Sequence, residues 1–215
     1  MIGAFPFAMP VETWLLFVLV ALAPAASPGP GMLFALSNSL RYGARATLVT
    51  GLVNGCGMTL MGLAVGLGLG ALMAASALAF FILKLIGGAY LVWLGVKIWR
   101  DRSAFVVDPS RADGPPPYRK LAAQALAISL TNPKAAVLLA ALLPPFMNVD
   151  APAMGQVLIL SATYGGLCAL NHAAIAFSGA WLRRFLSSPR RAAAIRRATG
   201  GAFVGFGALL AASSR

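Results

Sequence analysis

Acidic residues are scarce: Glu12, Asp101, Asp108, Asp113 and Asp150 are all that the 215 residues contain. None lies in a long apolar stretch, so no carboxylate pair is available inside such a stretch for general acid–base work, and no oxygen cage for a hard cation. Histidine occurs once, at His172, and cysteine twice, at Cys56 and Cys168, without C-x-x-C spacing. A thiol-redox centre, a divalent-metal site and a metallo-enzyme therefore lack their ligands, and the two cysteines read as small apolar packing residues. Charge is thin as well, at 10% of residues against about a quarter in a soluble domain, while 60% are hydrophobic and the mean hydropathy is +0.83. A soluble globule is excluded, and neither a metal nor a cofactor is expected.

What charge there is has one sign. Seventeen Lys and Arg give a formal net charge of +12, which in a soluble chain would raise the question of nucleic acid. In a chain this apolar, the same charge is expected to sort across a bilayer, and no nucleic-acid partner is predicted. Spans need about 20 apolar residues each, and six stretches qualify or come close: 14–36, 48–71, 80–99, 121–147, 154–180 and 198–212. Fourteen basic residues fall in alternating loops: Arg41 and Arg45; then Lys97, Arg100, Arg102, Arg111, Arg119 and Lys120; then Arg183, Arg184, Arg190, Arg191, Arg196 and Arg197. The positive-inside rule makes those loops cytoplasmic and puts both termini on the outer side. Trp14, Trp93, Trp99 and Trp181 stand toward span ends, where interfacial anchors belong. Leu15 to Ala26, with Ala23-Pro24-Ala25 after it, also resembles a signal-peptide core, but residues 1–13 contain Glu12 and no Lys or Arg, so a retained first span is expected.

The fold class predicted is an all-α integral membrane protein of six helices, arranged as two inverted three-helix repeats with helices 1 and 4 broken at proline motifs. The whole chain, 1–215, is one transmembrane domain: repeat 1 over 12–100, a cytoplasmic linker over 101–120 containing Pro115-Pro116-Pro117, and repeat 2 over 121–213. Span three carries Lys84, Gly87, Gly88, Ala89 and Tyr90; span six carries Arg197, Gly200, Gly201, Ala202 and Phe203 in the same order. Spans one and four carry Ser27-Pro28-Gly29-Pro30 and Thr131-Asn132-Pro133-Lys134, both proline breaks preceded by a hydroxyl-bearing residue. A repeat with an odd number of spans must re-enter from the opposite side, so duplication implies inversion.

A proline within a span removes a backbone donor and frees the carbonyl one turn back, which hydrocarbon tolerates only beside protein or a wet cavity. Two breaks in equivalent spans point to a substrate site between the halves, where half-helix N-termini present N–H groups to an anion. The candidate substrate-binding residues are Ser27, Pro28, Gly29, Pro30, Asn54, Asn132, Pro133, Lys134 and Asn171. Lys134 leads, because it lies about 20 Å along span four, where a charge costs about 2.5–3.5 kcal/mol to insert. It either pairs with a substrate carboxylate or bonds to the carbonyl freed at Pro133. Ser27 and Asn132 either cap backbone or touch a ligand, and Asn54 and Asn171 either bridge helices or face the cavity. Lys84, near a span end, reads as snorkelling. His172 is the candidate for proton coupling, since imidazole ordinarily titrates near pH 6.5.

These motifs resemble the LysE/RhtB family of amino-acid exporters over nearly the whole chain. The resemblance rests on Ser27 to Pro30, the spaced glycines from Gly51 to Gly70, Lys84 to Gly95, Leu130 to Lys134 with Leu143-Pro144-Pro145-Phe146, and Gly200 to Phe203 with Gly207 to Leu210. It implies an exporter of amino acids or related metabolites in the bacterial inner membrane, driven by the proton motive force, with protons and lipid as its other partners and a homodimer as its assembly. One departure matters: where members often carry a carboxylate in span five, this chain reads Asn171-His172. A second positive charge on a ligand would find no carboxylate, so small or hydroxylated neutral amino acids such as threonine and homoserine are expected, rather than lysine or arginine. The alternative is a passive channel or a membrane scaffold protein; an enzyme is not expected.

Overall fold

The computed structural model describes residues 9–27, 29–75, 115–148, 150–186 and 188–212, with scattered positions between 82 and 100. Among the described residues seven continuous α-helices follow one another, α1 (Val11–Ala25), α2 (Pro30–Tyr42), α3 (Ala44–Ala75), α4 (Tyr118–Leu130), α5 (Pro133–Leu142), α6 (Ala153–Leu186) and α7 (Pro189–Ala212). A short 3-10 turn, Pro144–Phe146, follows α5. Among residues 82–100, those described are also helical, and no strand occurs among the described residues. The expected third span therefore lies largely outside the described residues, as do Pro28, Lys84 and linker residues 101–114.

Among the described residues two continuous helices are long and apolar enough to cross a membrane, over Ala44–Gly68 and Ala153–Gly179. Two bent pairs bring the number to four if each pair is one span. The bends are where the proline motifs predict them: 67° between α1 and α2, and 52° between α4 and the segment Lys134–Phe146. Both restarts obey the same local rule. Pro30 and Pro133 occupy the first turn of their helices, where a missing N–H costs nothing and the fixed φ favours helix. The stretch expected as span six falls on α7, whose first turns carry Arg190, Arg191, Arg196 and Arg197, so its apolar part begins only at Ala198.

The long helices α3 and α6 pack against one another through small residues. A methyl group on Gly55 would stand 2.7 Å from the Gly165 carbonyl oxygen, and one on Gly62 would stand 2.6 Å from Ser161 Oγ. Backbones this close gain dispersion contact, which is the main attraction left between helices surrounded by lipid. Around this pair the buried core gathers Phe17 and Ala21 of α1, Met58 of α3, Leu138, Leu139 and Leu142 of α5, and Leu160, Tyr164 and Cys168 of α6. Phe17 meets Phe146 edge-to-face at 5.2 Å between ring centroids. The turn into α6 is tied by Gln156, whose side-chain oxygen accepts from Asn148 N at 2.7 Å and whose amide donates to Asn148 O at 3.0 Å.

The opposite faces point outward and are apolar. Leu15, Leu16 and Leu19 on α1, Leu52 and Leu60 on α3, and Leu170, Phe177 and Trp181 on α6 are all exposed. Apolar exposure on several helices around a packed core is the pattern of a surface meant for lipid. Trp14, one of the expected anchors, bonds inward, its indole N–H donating to Thr163 Oγ1 at 3.0 Å.

Candidate functional site: a cavity between two helix breaks

The start of α2, the start of α5 and the middles of α3 and α6 enclose a cavity of about 50 Å³. That is room for on the order of three or four waters. Of the ten residues singled out in the sequence, Ser27, Gly29, Pro30, Asn54, Asn132, Lys134, Asn171 and His172 line it. Pro133 begins α5 between Asn132 and Lys134, and Pro28 lies outside the described residues.

Lys134 links the two breaks. Its ammonium donates to Ser27 Oγ at 2.6 Å, and the Ser27 hydroxyl spends its own proton on Pro24 O at 2.8 Å. A serine hydroxyl has one proton to give, so the donation to Pro24 leaves its oxygen as the acceptor for the lysine. The carbonyl thus engaged belongs to the first break, not the one freed at Pro133. Gly29 sits against the same ammonium: a methyl group added there would be 3.4 Å from Lys134 Nζ.

The two helix starts differ. Asn132 caps α5, its side-chain oxygen accepting from Lys134 N at 3.1 Å, whereas α2 has no side-chain cap and begins in extended backbone at Gly29. The amide end of α2 is therefore the less satisfied of the two, with Gly29, Pro30 and Gly31 on the cavity wall. The asparagines bridge helices as well as lining the cavity. Asn54 on α3 donates to Ser129 Oγ on α4 at 2.7 Å, and Asn171 on α6 donates to Ala25 O of α1 at 3.2 Å, a carbonyl close to the first break.

His172 is buried, with Nδ1 at 2.9 Å from Cys168 O one turn earlier and Nε2 lacking a hydrogen-bond partner among the described residues. Its ring lies beside Gly31, where an added methyl group would be 3.9 Å from Cε1. Nine lining residues escaped the sequence reading, among them Gly31, Met58, Tyr164 and Cys168. Tyr164, Cys168 and His172 are spaced by one helical turn along α6, so that spacing was the available signal; without His172 as anchor, a lone cysteine and tyrosine read as packing. Ser129, which holds Asn54, likewise stands a turn before the Asn132 break. Among the described residues no group of three or more His, Cys, Asp or Glu is placed to hold a metal ion.

A cavity lined by Lys134, His172 and three asparagines, set between two broken helices inside a helical core whose outer faces are apolar, is the arrangement of a polytopic membrane protein. The family described as LysE type translocator matches residues 22–214, and the chain belongs to it. The chain is 37% identical over 207 residues, 94% of its length and 98% of the relative's, to an uncharacterized membrane protein of Vibrio cholerae serotype O1. It is 34% identical to the homoserine/homoserine lactone efflux protein of Salmonella typhi, over 95% of this chain and 98% of that one. A leucine efflux protein of Enterobacter sp. (strain 638) is 30% identical over 86% of this chain and 88% of its own. No solved structure matches the chain.

Proposed function

We propose that this protein is a secondary exporter of neutral amino acids, small or hydroxylated ones such as homoserine and threonine, driven by the proton motive force across the bacterial inner membrane. The observation that carries the reading is the convergence of two half-helix starts, Lys134, Asn171 and His172 on one enclosed polar cavity. An ammonium has three donors, so Lys134 can keep Ser27 and still take a substrate carboxylate. The less satisfied amide end of α2 adds partial positive charge on the same side. The substrate ammonium then requires acceptors, which the carbonyls around the breaks at residues 24–27 and 131–133 supply. The lining residues that are charged include no carboxylate for a second positive charge, and the names of the Salmonella typhi and Enterobacter relatives agree with a neutral substrate.

Transport requires the helices around this cavity to part toward each side of the membrane in turn. Six spans in two inverted halves would open the cavity alternately to each side by moving one half against the other, with both termini on the outer side. His172, buried at the cavity wall, is the group that takes and releases the coupled proton.

Reconstitution in proteoliposomes tests the reading. Homoserine should move uphill under an imposed proton gradient, and an uncoupler should abolish the accumulation; a passive channel would only equilibrate it. Full uphill transport with unchanged pH dependence in His172→Ala would overturn the coupling role, and lysine moved far better than threonine or homoserine would overturn the substrate class.

A further inference from the structure

A second and larger cavity, about 530 Å³, opens between α2 and α4 at the end where Arg41 and Lys120 stand. Its lining includes both cations, the polar side chains of Ser37, Asn38 and Gln124 and, among the described residues, no acid. Both cations are exposed, and Lys120 begins α4 just after Arg119. The cavity runs toward the smaller one along the same two helices. On α2, Phe34 lines the large cavity and Met32, two residues earlier, lines the small one; on α4, Ile128 lines the large one and Asn132, just past the helix end, lines the small one. At 1.5 Å per residue the two are separated by roughly 3–6 Å of helix. Ser129, held by Asn54 at 2.7 Å, lies within that interval.

We propose that this larger cavity is the antechamber of the transport path, in which Arg41 and Lys120 receive the carboxylate of an amino acid before it passes between α2 and α4 to Lys134. The proposal rests on the export reading above and adds where the substrate is first held. The location is the right one for an exporter: Arg41, Arg45, Arg119 and Lys120 all lie at this end, which the positive-inside rule makes cytoplasmic, and the cytoplasm is where exported substrate is collected. Two like cations lining one concave space raise the local concentration of an anionic group, an effect that salt screens. The charge then continues inward as a series, from the two mouth cations to the ammonium at the cavity, so a carboxylate is attracted at each stage.

Homoserine and homoserine lactone make a matched pair of probes, because the lactone has the same amine and carbon skeleton but no free carboxylate. In inside-out vesicles, Arg41→Gln/Lys120→Gln should raise the half-saturating homoserine concentration about tenfold, with a smaller effect on the maximal rate, and change that of the lactone less than twofold. The half-saturating homoserine concentration of the parent protein should climb with ionic strength, and that of the double variant should not. Arg41→Lys/Lys120→Arg should restore the parent behaviour. Equal losses for acid and lactone would mean a folding or insertion defect and would overturn the proposal, as would an unchanged half-saturating concentration. An effect present only in vesicles containing anionic lipid would assign the two cations to a lipid headgroup instead. Absence of any transport by the parent protein would be a failure of the export reading, which the same vesicles reveal before any variant is compared.

Discussion

At the first break the chain turns by 67° between α1 and α2, and α2 starts at Pro30 with no side chain on its amide end. At the second it turns by 52°, and Asn132 closes the amide end of α5 with a 3.1 Å bond from Lys134 N. The sequence signal is nearly the same in both places, a hydroxyl-bearing residue and then proline. The chemical outcome differs: the first break leaves a less satisfied helix start on the cavity wall, while the second satisfies its own backbone and contributes a charged side chain. The two are then joined, because the Lys134 ammonium donates to Ser27 of the first break. The two proline motifs thus furnish the cavity differently, the first with amide ends and carbonyl oxygens, the second with a cation.

Four substitutions can break or sharpen that contrast. Lys134→Met should have the largest effect, because losing a charge-assisted bond of about 1.5–3 kcal/mol to the carboxylate lowers homoserine transport efficiency by roughly 10- to 100-fold. Homoserine lactone should lose less than the acid, and an equal loss for both would remove the carboxylate from Lys134. Ser27→Ala comes next, since it strips the ammonium of its partner across the cavity. A fall in stability of about 1.5–3 kcal/mol is expected, read as a lower thermal midpoint in detergent.

Asn132→Ala removes the cap on α5 and makes the second break resemble the first. It should cost about 1 kcal/mol by the same measurement, and a cost equal to that of Ser27→Ala would erase the asymmetry argued here. Gly29→Ala should cost least, within about 0.5 kcal/mol, because Gly29 has an ordinary extended backbone at φ −178° and its added methyl would only touch Lys134 at 3.4 Å. A large destabilisation by Gly29→Ala would mean that the first break is tighter than described.

The breaks themselves were legible in the sequence because proline acts locally: it removes a donor, fixes φ and biases its neighbour whatever the surroundings. The apolar stretches at 48–71 and 154–180 were legible for a similar reason, since hydropathy over some 20 residues needs no knowledge of packing, and α3 and α6 cover both. The polar residues were harder. Asn54 and Asn171 admitted helix bridging or cavity lining, and each does both, because an asparagine has donors and acceptors enough to hold a neighbouring helix while one face meets the cavity. Tyr164 and Cys168 were passed over because their part in the wall depends on the facing helices, which no window of α6 sequence contains.

The sequence by itself determined that this chain is an apolar, helical membrane protein of the LysE type, with two proline breaks and one deeply set lysine. Those are consequences of composition, hydropathy and local backbone chemistry, all additive along the chain. Only the tertiary structure decided that Lys134 reaches Ser27, a residue 107 positions away, and that the two share the wall of one small cavity. The physical reason is that a hydrogen bond between distant residues depends on how helices are rotated and spaced. Here that spacing is set by glycines such as Gly55 and Gly165, whose lack of a side chain lets α3 and α6 approach until the four walls of the cavity meet.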